Sequence, residues 1–375
     1  MALSTPTMQH APSARPATCP RAILKIVVRG GLSNQKECLI NAGIVAHALN
    51  LTLALPHFDL VGRGNERFEP EGAAYVRPYS DRTKWGHFAH LFNATWLTKR
   101  LKGSLDVAVR PRTTFAGKPR IVHLPPIENL TQGCGGYKRM HETCEASPGD
   151  KSLLDLLISR WRRIVDDECS NHHHAVASSA TEKANAIVFN ADQSLCWNAY
   201  KSRHATRCAQ QYPFCAKMLR SLRWNRVIQR LQWRVLQGLR REANATTGGG
   251  SSSWAAVHVR AFVCARDNRQ PTFSHVTSAL NQVGVRAGVV YVVSSVPVEQ
   301  VQRALPAFKV LSKTAFLGAD VRLKYPFEVL AAIDYGVAAA APVYLGEPSS
   351  SSFDAFAAED RRRRNLTIET MASAC

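Results

Sequence analysis

What this chain of 375 residues lacks narrows its reading early. No run of about 18 apolar residues occurs, so no segment reads as a membrane-spanning helix. Residues 1–22 carry Pro, Ser and His without the apolar core of a secretory signal, and they read as a disordered N-terminus. The patterns G-x-x-x-x-G-K-[ST], G-x-S-x-G, H-E-x-x-H and G-x-G-x-x-G are all missing, which argues against P-loop hydrolysis, the α/β-hydrolase mechanism, zincin chemistry and standard dinucleotide binding. D-x-D is missing too, and with it the commonest way to hold a metal against a sugar nucleotide. Cysteines show neither C-x-x-C nor zinc spacing. Acidic residues are scarce: Lys+Arg number 48 against 28 Asp+Glu, a formal charge of +20. An anionic ligand is therefore expected. The excess is spread along the chain, only Arg361–Arg364 forms a concentrated basic block, and no RNA-binding signature is present, so nucleic acid is not expected as a partner.

The 10 cysteines that are present include two pairs, Cys134 with Cys144 and Cys208 with Cys215, that bracket short loops and suit local disulfides. Sequons of the form N-x-[ST] stand at Asn50, Asn93, Asn129, Asn244 and Asn365. Both features fit an oxidising secretory lumen, Golgi or ER. That location requires a membrane anchor or signal beyond these residues; without one the lumenal reading fails. The run His172-His173-His174 lies in a low-complexity connector, 171–183, and adjacent histidines cannot all face one metal on a regular element, so no metal site is assigned.

The chain hangs on residues 23–58. An apolar β-branched run, Ile23–Val28, breaks at Gly30-Gly31 into a helical pattern ending near Asn50, and a second apolar run, Leu51–Leu55, follows. Strand, glycine turn, helix and strand make a βαβ unit, hence a parallel sheet. Beyond it, Val61–Asp81 reads as a surface loop, a helical stretch runs from Trp85 to about Leu101, and Val107–Val109 and Ile121–Leu124 read as short strands. Leu153–Val165 has helical spacing with Arg160, Arg162 and Arg163 outward. Ala186–Asn190 is a further strand, and Cys196–Arg241 is mainly helical, its Trp197, Trp224 and Trp233 assigned to packing. The clearest linker is 244–253, NATTGGGSSS. It separates an N-terminal Rossmann-like domain, 23–243, with an insertion near 134–243, from a C-terminal one, 254–375.

The second half restarts with the strand Trp254–Val259, whose alternation puts His258 and Arg260 on one face at its carboxyl end. Further elements are the strand Gly288–Val293, helices at 297–305 and 327–337, and a strand at Pro342–Leu345 that leads into Ser349–Ser352. The fold class is α/β with two facing Rossmann-like domains. Three features converge on the crevice: Gly30, Gly31 and Asn34 at the first strand's end, His258 and Arg260 at the second domain's first strand, and Ser351, Ser352 and Phe353 at a helix start. Serines and free amides opening a helix suit phosphate oxygens, and an arginine fork suits a diphosphate. Together they describe a nucleotide-diphosphate site. The bland alternatives are an interdomain salt bridge for Arg260 and a flexible run for Ser349–Ser352.

In ordered blocks the sequence resembles the GDP-fucose protein O-fucosyltransferases and their plant and algal relatives. The blocks are GGLSNQ followed by a helix and LNLTLALP, then GHFAHLFNATW, VHVR, AAIDYGV, and SSSSFDAF with NLTIET. They cover most of 23–133 and 254–370. The resemblance implies a GT-B-like fold with parallel sheets and transfer of fucose from GDP-fucose, with inversion and without a metal or other cofactor, to a protein or glycan hydroxyl. It implies Arg260 and Asn34 as catalytic residues, with Gly30, Gly31, His258, Asp334, Ser351, Ser352 and Phe353 as donor-binding ones, Asp334 meeting the guanine. Two departures stand out. Ser294 and Ser295 occupy a place where the family often has an acid, and Gly31 stands where some relatives carry a glutamate base, so the resemblance names no base. A silent sugar-nucleotide or glycan-binding protein, or a fucosyltransferase of glycan acceptors, is the alternative.

Overall fold

The short apolar runs become strands because β-branched and aliphatic residues buried on both faces suit a covered parallel sheet. The computed structural model describes residues 22–28, 31–60, 85–109, 119–125, 153–178, 186–191, 195, 213–247, 254–259, 273–285, 287–294, 296–348 and 351–370. The expected loop at 61–81, the start of the insertion near 134–243 (134–152), Gly30, Arg260 and, of the expected disulfide pairs, Cys134, Cys144 and Cys208 lie outside them.

In chain order the first half comprises β1 (Ala22–Lys25), α1 (Leu32–Ala48), β2 (Thr52–Ala54), β3 (Phe58–Asp59), β4 (Trp85–Gly86), α2 (Ala94–Leu101), β5 (Val107–Ala108), β6 (Arg120–His123), α3 (Leu153–Ser178), β7 (Ile187–Asn190) and α4 (Pro213–Ser221). The second comprises α5 (Arg226–Thr247), β8 (Trp254–Val259), α6 (Ser274–Gln282), β9 (Gly288–Ser294), α7 (Val298–Ala304), β10 (Phe308–Leu311), α8 (Phe327–Ala340), β11 (Val343–Gly346), α9 (Ser352–Arg362) and β12 (Glu369–Thr370). Two five-stranded sheets result, β5-β2-β1-β7-β6 and β10-β9-β8-β11-β12, and every pair in both is parallel. This is the expected pair of Rossmann-like sheets. Among the described residues no helix is long and apolar enough to cross a membrane.

Several elements differ from their sequence expectation for local reasons. The stretch from Trp85 is not one helix: a two-residue strand and a 3-10 turn at Phe88–His90 precede α2, whose start is fixed by Asn93 Oδ1 accepting from the Trp96 amide at 2.9 Å. The connector at 171–183 is helical as far as Ser178, as the end of α3. Arg162, expected to face solvent, donates instead to the Ala48 carbonyl at the end of α1, 2.7 Å away. Likewise the sequence's linker begins as helix, α5 extending to Thr247. Within the basic run, Arg361 is buried and donates to the carbonyls of Ala338, Ala341, Pro342 and Thr367, so it caps the end of α8; Arg362 and Arg363 pair with Glu359.

Helix α5 is amphipathic, and its buried stripe, Ile228, Val235, Leu239 and Ala243, faces the second sheet. Its close approach to α8 depends on Gly336: Gln232 lies across that glycine, its amide 2.1 Å from where a Cβ would sit, and donates to the Ala332 carbonyl at 2.7 Å. The segment joining α4 to α5 is pinned to the first half. Asn225 donates through Nδ2 to the carbonyls of Ala89 and His90, and Trp224 stacks on Phe92 with centroids 4.7 Å apart. One apolar cluster runs from the first sheet into the inner face of the second, and another covers that sheet's outer face.

Candidate active site

Strand order fixes where a ligand can sit. In the second sheet β8 is flanked by β9 on one side and β11 on the other; in the first, β1 is flanked by β2 and β7. Crossovers leave such strands in opposite directions, which opens a crevice beyond their carboxyl ends. The two crevices meet. Ser352 Oγ, in the first turn of α9 after β11, donates to Asn34 Oδ1, in the first turn of α1 after β1, at 2.9 Å. Between Leu32 and Ala46 Asn34 is the one residue of α1 that is not buried. Ahead of it, a Cβ added at Gly31 would meet no heavy atom within 4 Å.

Beside this contact, on the second sheet, His258 Nδ1 lies 2.8 Å from Asp354 Oδ1. A carboxylate only accepts, so Nδ1 carries the proton and Nε2 is the nitrogen left for a ligand. Asp354 is fully buried and also accepts from the Tyr344 hydroxyl, and from the Glu347 amide at 2.9 Å. Burial pushes its carboxyl up, but the His258 imidazole and the hydrogen bonds from His258, Tyr344 and Glu347 outweigh that and hold it below the usual range. Its own amide donates to Ser351 Oγ at 3.2 Å, so Ser351 caps α9. Gly346 is required here: a Cβ would stand 2.9 Å from the Asp354 carboxylate. Phe353 packs on His258, centroids 4.8 Å apart, and edge-on to Tyr335 at 5.5 Å; Tyr335 in turn meets Trp224. A column of rings thus links the crossover between the halves to the site.

The structure brings together Asn34, Gly31, His258, Ser351, Ser352 and Phe353. Gly30 and Arg260 lie outside the described residues, the latter one position past the end of β8. Asp334 is separate: buried in α8, it accepts from the Tyr291 hydroxyl at 2.6 Å and pairs with Lys313 at 2.5 Å, tying α8 to the sheet. Ser294 closes a turn, its Oγ donating to the Val259 carbonyl and accepting from the Val296 amide. Among the described residues no group of three or more His, Cys, Asp or Glu is placed to hold a metal.

Sequence reasoning missed Asp354 and Lys36. The Ser351-x-x-Asp354 spacing is a capping pattern, which signals a helix start but not the partner His258, 96 positions away. Lys36 is buried, its pKa lowered chiefly by that burial; it donates to the Tyr335 hydroxyl at 3.1 Å, with Asp360 at 3.9 Å. It joins α1 to α8 and α9.

Two parallel-sheet domains meeting carboxyl end to carboxyl end across a ligand crevice define the GT-B-like fold class. No protein-family model and no curated protein sequence matches the chain. Among solved structures, POFUT1 in complex with GDP-fucose aligns over 97% of this chain and 100% of its own, with TM-score 0.51 and 13% identity. POFUT1 in complex with GDP covers 94% and 98%, with TM-score 0.50 and 14% identity. The fucosyltransferase NodZ from Bradyrhizobium covers 93% of each chain, at TM-score 0.45 and 15% identity. At these identities the likeness is one of fold.

Proposed function

We propose that the protein is a fucosyltransferase that moves fucose from GDP-fucose to a protein or glycan hydroxyl, with inversion and without a metal. The observation that carries this reading is the Ser352–Asn34 contact, which sets a serine-opened helix and a helix-start amide face to face where the two crevices meet. Solved structures of this fold that hold GDP and GDP-fucose support it. The blocks shared with the O-fucosyltransferases contribute the same residues.

In this reading His258 offers Nε2 to the nucleotide, with Asp354 fixing its orientation, and Phe353 walls the pocket. Ser351 and Ser352 offer the start of α9 to the phosphates, and Gly30 and Gly31 leave room for them. Arg260, following β8, neutralises the diphosphate as the C1–O bond breaks and its electron pair leaves with GDP. Asn34 orients the reacting groups as the acceptor oxygen enters from the opposite face. For Asp334 to meet guanine, the base would have to use lone pairs beside those engaged by Tyr291 and Lys313; each oxygen has two. Cys38, Cys169 and Cys215 are disulfide-bonded, which supports work in an oxidising lumen, Golgi or ER.

Calorimetric titration of GDP, GDP-fucose, GDP-mannose and UDP-glucose in EDTA tests this, on the wild type and on Arg260→Ala. Guanine nucleotides should bind in EDTA and weaken in the variant, with transfer falling at least about 100-fold, the scale of losing one preorganised charge-stabilising group. Folded protein that binds no guanine nucleotide would refute the reading.

A further inference from the structure

Helix α1 carries one buried polar group that the fold does not use. Its other buried polar side chains include Asn41, which donates to the Leu195 carbonyl at 3.1 Å, and Lys36, bound to Tyr335. Glu37 is also buried, 6% exposed, but its Oε1 is sealed from solvent without a hydrogen-bond partner. Buried polar atoms are almost always paired, and an unpaired one costs stability. A group that costs the fold and serves no contact in it needs another reason to be there.

Position supplies one. Glu37 follows Asn34 by three residues, so the two share a helix face with Cβ atoms about 5–6 Å apart. Helical side chains tilt toward the N-terminus, so the direction expected of the Glu37 carboxyl is back over the turn of Asn34; ahead of that turn, a Cβ added at Gly31 would meet nothing within 4 Å. We propose that Glu37 is the general base of the reaction, taking the acceptor hydroxyl's proton; this rests on the transferase reading above. As the acceptor oxygen bonds to C1 of fucose, its proton passes to Glu37, the C1–O bond to the diphosphate breaks, and the electron pair leaves with GDP. Burial, with no charged partner, pushes the Glu37 carboxyl well above the usual range, which makes its ionised form a stronger base. Neighbouring charges face elsewhere: Lys36 toward Tyr335 and Asp360, Asp354 toward His258, and Glu359 toward Arg362 and Arg363.

The test measures GDP release from GDP-fucose, with water as acceptor, across pH for the wild type, Glu37→Gln and Glu37→Asp, alongside calorimetric GDP binding. A carboxyl with a raised folded pKa weakens the fold as pH rises above its ordinary value of 4.5, so Glu37→Gln should fold at least as well as the wild type at neutral pH. The wild-type rate should climb with pH through one ionisation above the ordinary carboxylate range. Glu37→Gln should fall about 100-fold or more and lose that dependence. Glu37→Asp should keep the dependence at a reduced rate, and GDP affinity should be unchanged in both variants. Equal rates and profiles in the wild type and Glu37→Gln, with GDP-fucose bound, would overturn the inference alone. A wild type that binds no GDP-fucose would overturn the transferase reading and this base with it.

Discussion

Replacing Asp354 separates its two tasks, holding the second domain's crevice and orienting His258. Its carboxylate receives three donors, His258 Nδ1 at 2.8 Å, the Tyr344 hydroxyl and the Glu347 amide at 2.9 Å, and none of the residue is exposed. In Asp354→Ala all three lose their acceptor, and Tyr344 is itself fully buried. An orphaned buried donor costs about 1–3 kcal/mol, and allowing for water reaching His258 and Glu347 the sum is on the order of 4 kcal/mol. That is a large share of the roughly 5–15 kcal/mol that holds a domain together. Asp354→Asn behaves differently. Turned so that its carbonyl meets the Glu347 amide, the side chain donates to the Tyr344 oxygen and to His258 Nδ1; only the Tyr344 hydroxyl proton is left without its acceptor, so the loss should be about 2 kcal/mol, below that of the alanine variant. The cost is chemical: His258 must change tautomer, so Nε2 becomes a donor. Urea denaturation should give the two stabilities and imidazole nitrogen shifts the tautomer. Because the folded pKa of Asp354 is depressed, its contribution is present above the ordinary aspartate value of 3.8 and is lost as pH falls through the folded value, so the gap between wild type and Asp354→Ala should narrow in acid. An alanine variant within about 1 kcal/mol of the wild type at neutral pH would refute the account of Asp354 as the hub.

Lys36 holds the halves together at a cost. Its pKa is lowered by burial, so wild-type stability should rise with pH toward the ordinary lysine value of 10.5, while Lys36→Met shows no such rise. At neutral pH that variant should lie within about 1 kcal/mol of the wild type, because Asp360 keeps its bond from Tyr335; urea melts at two pH values decide this. Gly336→Ala should displace Gln232 and break its bond to Ala332, destabilising the protein by about 1–3 kcal/mol without changing GDP affinity, as denaturation and calorimetry would show.

Much of the architecture was legible because periodicity and turn chemistry are local. β8 falls on Trp254–Val259 as read, and α1 stops two residues before Asn50, whose φ of 53° makes the turn into β2. That Asn34, His258 and Ser352 could be expected near one another follows from each standing at an element's end, a position that chain order reveals. Less visible was what occupies each side chain. Arg361 stands in a basic block and is a buried helix cap; Asp334 carries bonds from Tyr291 and Lys313 that no local pattern announces.

By itself, then, the sequence determined the alternation of strand and helix, the two parallel sheets and which element ends lie at the carboxyl edges of those sheets, since these follow from spacing within a few tens of residues. Only the tertiary structure decided that α5 lies on the second sheet, that Ser352 reaches Asn34 across 318 positions, that Asp354 fixes His258, and that Glu37 is buried without a partner. A side chain's hydrogen bonds and burial are set by whichever residues the fold brings beside it, and no local pattern records them.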